Sequence, residues 1–189
     1  MKRGTSTRGS AQLGGLKGNR DAIAEIIENN VRRRILKEHL SDPAYYEKMS
    51  TLLDEIITAR KAKAIEYEEY LKRIADLARK VEAGVAEDTP EALKSSPALR
   101  ALYNNLKRAG GTPARADRAA EPRGEYAVSE DPVLDLSLKI DAAVKRVRPD
   151  GWHGVQAREQ VIKAALYGIL RDEALVERIF LIVKAQGEY

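Results

Sequence analysis

A chain of 189 residues with a net charge of +4 has room for one ordinary domain or two small ones, and so mild a charge does not by itself define a nucleic-acid binder. Charged residues make up 33% and aromatic residues only 5%, the profile of a helix-rich protein with much solvated surface. The absence of cysteine excludes a disulfide framework, a thiolate metal site and a cysteine nucleophile. No apolar run approaches the roughly 18 residues of a membrane span. The basic start lacks the apolar core of a secretory signal, so a cytoplasmic protein is expected.

Residues 1–20 carry Lys2, Arg3, Arg8, Lys17 and Arg20 without an acid, among glycines, serines and threonines. Such a stretch has little apolar surface to bury, which predicts a disordered basic tail or an arm that touches DNA or RNA. Gly14-Gly15-Leu16-Lys17-Gly18-Asn19 lacks the Gly-Lys-Ser/Thr ending and the preceding strand of a phosphate loop.

A first helix is expected over about 21–40, with Ile23, Ile26, Ile27, Val31, Ile35 and Leu36 on one face. Arg32, Arg33 and Arg34 lie largely opposite and are candidate phosphate contacts. Three adjacent residues spread around a helical turn, however, and Glu25, Glu28 and Glu38 stand nearby, so ion pairing competes with that reading.

Asp42-Pro43 then combines an N-cap acceptor with a first-turn proline. No Gly or Pro follows until Gly84, and Tyr46, Met49, Leu53, Ile56, Tyr67, Tyr70, Ile74, Leu77 and Val81 recur in steps of three and four. Arg60 and Lys63 occupy the middle seam positions. The pattern predicts one helix of about 40 residues, a rod of about 60 Å that needs a partner surface for its seam. Three acid–base pairs, Glu68–Lys72, Glu69–Arg73 and Asp76–Lys80, are spaced to support it.

Ser96-Pro97 repeats the cap-plus-proline device and opens a short helix to about Ala109, stopped by Gly110-Gly111. Residues 110–130 have no periodicity and read as a flexible linker. Asp131-Pro132 starts a third helix by the same device, and two more follow at about 155–170 and 173–185. The expected fold is all-α: a disordered tail (1–20), a helical hairpin on one long helix plus a short helix (21–109), a linker (110–130) and a smaller three-helix subdomain (131–189).

Groups that could converge for catalysis are few. His39 and His153 stand at no triad or metal spacing from a partner. The acids Glu66, Glu68 and Glu69 have no companion histidine and no answering acidic helix, so neither a metal nor a catalytic site is expected.

Several blocks nevertheless carry a resemblance: Asn29–Ile35, Asp42–Ser50 (Asp-Pro-Ala-Tyr-Tyr-Glu-Lys-Met-Ser), Leu52–Ile57, Ala64–Leu71, Ser96–Leu106, Asp150–Gly154, Leu175–Ile179 and Val183–Tyr189. Together they resemble the C-terminal helical domain of the R subunit of type I restriction endonucleases, as a detached fragment covering about residues 21–189 apart from the linker. Where that family shows Trp-Arg-Gly-Asn, this chain has Trp152-His153-Gly154-Val155. The resemblance implies a module that docks an ATP-dependent motor and nuclease onto the methyltransferase core of M and S subunits. It implies no cofactor in this chain, since ATP and Mg²⁺ belong to motor and nuclease domains whose motifs are missing here.

Under that reading Tyr45, Tyr46, Tyr67, Tyr70 and Trp152 are candidate interface anchors, and for Tyr46, Tyr67 and Tyr70 the domain's own core is the competing role. The alternative is a helical DNA-binding module that uses the basic tail and Arg32–Arg34.

Overall fold

The computed structural model describes the backbone of residues 8–110 and 131–189, and the side chains of these from Arg20 onward. The described residues form seven α-helices and no strand: α1 (Arg8–Glu38), α2 (Pro43–Lys61), α3 (Tyr67–Ala83), α4 (Pro97–Arg108), α5 (Pro132–Val147), α6 (Gln156–Leu170) and α7 (Glu173–Ala185). A single 3₁₀ turn, Glu91–Leu93, precedes α4. The all-α class expected from periodicity is what the chain adopts, and no described helix is long and apolar enough to cross a membrane.

The expected 40-residue rod is two helices. α2 ends at Lys61, and the chain turns back through Lys63, whose φ of 53° is left-handed. The Ala64 N–H donates to Ala59 O at 2.9 Å and the Lys63 N–H to Arg60 O at 3.0 Å, the two bonds of a Schellman helix stop. Glycine is the usual residue at that position. Lysine there costs of order 1–2 kcal/mol, which is offset because folding back lets the seams of α2 and α3 bury one another. Leu53, Tyr70, Ile74, Leu77 and Val81, all nearly inaccessible, come from both arms of this hairpin.

α1 packs on both arms, antiparallel to α2 and parallel to α3. Ala24, Val31 and Ile35 enter the shared core, so α1–α3 form a three-helix bundle. The first helix also begins at Arg8, inside the stretch expected to be a tail; a helix anchored by packing further on propagates at little extra cost. Residues 1–7 and the linker segment 111–130 lie outside the described residues.

Capping signals are realised as the sequence implied. Asp42 accepts from the Tyr45 N–H, Ser96 from the Leu99 N–H, and Asp131 from the Val133 and Leu134 N–H groups. The subdomain boundary is not where composition placed it. Ala98, Ala101, Leu102 and Leu106 of α4 belong to the same core as Leu136, Ile140, Ile162, Leu166, Ile179 and Val183. The C-terminal unit is therefore a four-helix bundle, α4–α7, rather than three helices, and the transition between bundles falls between α3 and α4. The amphipathic stripe of α4 told that it packs, not which core it joins.

Candidate functional site: the seam between the bundles

α4 has two working faces. One enters the C-terminal core; the other lies along α2 and carries the polar contacts that join the bundles. Asp42, the N-cap of α2, is buried at their centre. Its Oδ1 accepts from the Asn105 amide at 2.8 Å and from the Tyr45 N–H at 3.2 Å, and its Oδ2 accepts from the Asn104 amide at 2.7 Å. Asn105 is fixed in orientation, because its Oδ1 accepts from the Ala44 N–H while its amide also donates to Ala101 O. Burial raises the Asp42 carboxyl to about 6, even though Asn104, the Tyr45 N–H, Asn105 and the field of Arg100 all favour its charged form.

Two further ties cross the seam. Arg100 Nε donates to Gly84 O at 3.2 Å and its Nη1 to Lys94 O at 2.6 Å, fastening α4 to the end of α3. The Gln186 amide donates to Ser41 O at 2.6 Å, so the segment after α7 reaches the turn before α2. The same segment binds its own bundle. Glu188 accepts from the Ala98 N–H and the Ser96 hydroxyl, covering the start of α4. The Tyr189 hydroxyl donates to Asp141 at 2.7 Å, and its carbonyl accepts from the Trp152 indole at 3.3 Å. A shallow groove of about 460 Å³ between α2 and α4 carries Glu47, Lys48, Asp88, Lys107 and Arg108; Arg108 pairs with Glu47, and Lys107 with Asp88.

The aromatic candidates are mostly interior. Tyr45, Tyr46, Tyr70 and Trp152 are 3%, 7%, 0% and 2% exposed, which removes them from any docking surface of this fold. Tyr45 donates through its hydroxyl to Lys80 O at 2.7 Å across the hairpin, and burial pushes its phenol up to about 12. Tyr46 meets Tyr45 edge to face, and its hydroxyl lies against Gly84. Tyr70 donates to Ala24 O, holding α1 to α3. Half-buried Tyr67 stacks on Tyr70, and the Arg20 guanidinium lies over the Tyr67 ring, 5.0 Å from its centroid. Trp152 packs against Phe180 and beneath His153. Aromatics at helical spacing serve a core as readily as an interface, and here the core takes them.

The arginine triplet divides. Arg32 bonds Asp54 of α2 at 2.9 Å, Arg34 pairs with Glu38 one turn on, and Arg33 faces solvent. The cation that does most inside the bundle is Arg60, read from sequence as a rod seam position. It bonds Glu28 and Asp21 of α1, each at 2.9 Å, and lies over the Tyr70 ring. Of the three helix-supporting pairs expected along the rod, Glu69–Arg73 forms, whereas Asp76 bonds Arg79 and Lys80 bonds Glu87.

Exposed large apolar side chains occur on several helices, among them Tyr167 of α6 and Leu181 of α7, and the most exposed lie on α1 and just beyond it. Ile26, Leu36 and Leu40 are 60%, 67% and 74% exposed, although sequence put Ile26 and Leu36 on the buried face. Glu28 and Ala24 take the inward positions instead, because Arg60 needs the carboxylate and Tyr70 the carbonyl. Compared with protein-family models, with curated proteins and with solved structures, the chain matches none. What the fold defines is a class: an all-α protein of two helical bundles joined through one shared helix.

Proposed function

We propose that this chain is an assembly module, similar in role to the C-terminal helical domain of a type I restriction R subunit, that docks a motor and nuclease onto a methyltransferase core of M and S subunits. The observation that carries an assembly role is the exposed apolar row on α1. Ile26 and Leu36 stand ten residues apart, about 80° around the helix axis, and Leu40 follows in the turn beyond. Leucine and isoleucine side chains this exposed are surface that a protein partner could cover, provided they act together as one patch. The type I assignment rests on the sequence blocks, and these supply the joint of this molecule: Asp42 and Tyr45 in one, Asn104 and Asn105 in another, Gln186, Glu188 and Tyr189 in the last. The pairing of Arg32 and Arg34 within the chain weighs against the alternative of a DNA-binding face built on the triplet.

A pull-down with the M and S core, after nuclease treatment, tests the proposal. Capture that resists high salt, and that Leu36→Asp abolishes, supports assembly through the apolar row. Absence of capture, together with DNA binding that weakens steeply with salt and with Arg33→Glu, would replace it by the DNA-binding reading.

A further inference from the structure

Around α1, Ala24, Glu28, Val31 and Ile35 are buried against the hairpin, and the opposite side of the helix is open. At about 100° per residue, Ile26, Asn29, Asn30, Arg33, Leu36 and Lys37 fall within about 120° of one another on that open side. All six are exposed and none is an acid. Arg33 and Lys37 have no ion pair among the described residues, whereas the arginines at the two margins do: Arg32 bonds Asp54 and Arg34 pairs with Glu38. Glu25 stands outside the strip, about 80° around the helix from Arg33. The aliphatic side chains sit at the two ends. Ile23 and Ile26 are neighbours one turn apart, and so are Leu36 and, just past the helix, Leu40. Arg33 lies between the ends, and its apolar stem links them into one patch.

This pattern selects its occupant. A second copy of the chain would set Arg33 and Lys37 against their own kind, with no acid on the strip to answer them. A bilayer surface needs a continuous apolar face, and here Asn29, Asn30 and Arg33 interrupt the aliphatic side chains. Duplex DNA would use the two cations and leave the exposed isoleucines and leucines in water. A helix with aliphatic side chains toward both ends and Asp or Glu between them satisfies every part of the strip. Its apolar ends bury those of α1, and its carboxylates meet Lys37 and the guanidinium fork of Arg33.

We infer that the outward face of α1 is the docking site for an acidic amphipathic helix of a partner protein, seated between Ile26 and Leu40 with its carboxylates on Arg33 and Lys37. The inference rests on the assembly reading and adds to it the chemistry of the partner. The two kinds of contact divide the work. Desolvation of the aliphatic ends supplies the affinity, and the cations select the sign of the partner and speed its encounter. Capture therefore persists at high salt, while the preference for an acidic helix narrows as the exposed charges are screened.

The probe is a pair of synthetic helical peptides, each with two leucine pairs about ten residues apart. One carries glutamates between the pairs and its twin carries lysines. Amide shifts of the full ¹⁵N-labelled chain are followed as each is added. The expected result is perturbation centred on Ile26 to Leu40, with the acidic peptide bound about tenfold or more tighter than its twin at low salt. Leu36→Asp should weaken that binding about tenfold. Arg33→Glu with Lys37→Glu should exchange the preference, whereas Leu181→Asp and Arg178→Glu on α7 should leave it. All these positions are exposed, so the substitutions spare the core. No binding, equal binding of the two peptides, or perturbation centred on α6 and α7 would overturn the inference, as would α1 shifts that follow protein concentration alone. The M and S core separates this inference from the reading it rests on. Capture that Leu36→Asp abolishes but Arg33→Glu with Lys37→Glu leaves intact would keep assembly and remove the acidic helix. Acidic-peptide binding on α1 without capture of that core would keep the docking face and remove the type I partner.

Discussion

The two bundles are held together by different physics. In α4–α7 the interior is mainly aliphatic: Leu102, Leu106, Ile140, Ile162, Leu166, Leu170 and Ile179 are all buried, joined by Trp152, Phe180 and Tyr189, and its polar contacts between elements centre on the segment after α7, including the bond of Tyr189 to buried Asp141. In α1–α3 the core is narrower and depends on polar groups that reach between helices. Arg60 bonds Glu28 and Asp21, the Tyr70 hydroxyl bonds Ala24 O, and the Tyr45 hydroxyl bonds Lys80 O. An aliphatic interior tolerates small shifts because dispersion contacts are non-directional, whereas a bundle fastened by buried hydrogen bonds has few acceptable arrangements. The contrast predicts that the N-terminal bundle responds more sharply than the C-terminal one to the loss of a single polar contact.

The largest expected effect is that of Leu53→Pro. Proline inside α2 costs ~3 kcal/mol or more and should remove hydrogen-exchange protection from α1–α3 while leaving α5–α7 protected. Equal loss in both bundles would make them one cooperative unit and end the comparison. Arg60→Met comes next. It strands Glu28, buried beside Tyr70, without its cation, and should destabilise the N-terminal bundle by about 1–3 kcal/mol in thermal or denaturant unfolding. An unchanged midpoint would show that the buried ion pair contributes nothing.

Gly84→Ala should cost about 1–2 kcal/mol, because Gly84 ends α3 at a φ of 60°. A Cβ there would also meet the Tyr46 hydroxyl at 3.3 Å. The smallest effect has the opposite sign. Lys63→Gly relieves the left-handed φ of 53° in the α2–α3 turn and should stabilise by up to about 1 kcal/mol. Destabilisation by this substitution would mean that the turn is not as described.

Much of this was legible in the sequence. The three acid- or serine-plus-proline starts at Asp42, Ser96 and Asp131 cap real helices, because the device works through the adjacent backbone and needs no tertiary context. The break at 62–66 was hidden for the complementary reason. No Gly or Pro marks it, and Tyr67 resumes the apolar steps of the preceding stretch, so two helices sharing a hairpin core read as one. A trace was present in Arg60 and Lys63, two cations side by side in an apolar seam. One became the buried partner of Glu28 and the other the left-handed residue of the turn. The seam was harder to read. Asp42 shows as a cap, but nothing local tells that Asn104 and Asn105, some sixty positions on, complete its surroundings. Tyr45, Tyr46, Tyr70 and Trp152 are interior while Tyr67 is half-buried, because an aromatic at helical spacing fits a core or a docking face equally well, and only the fold separates the two.

The hairpin decides the rest, since a rod would build neither the three-helix bundle nor the seam. Because the chain has no cysteine, Lys48→Cys with Glu82→Cys gives a clean pair for spin labels on α2 and α3. The distance between them by double electron–electron resonance should be under ~25 Å, as antiparallel packing at helix–helix separation plus label length requires. A distance near ~51 Å, the span of 34 residues in one continuous helix, would contradict the hairpin and with it the two-bundle account.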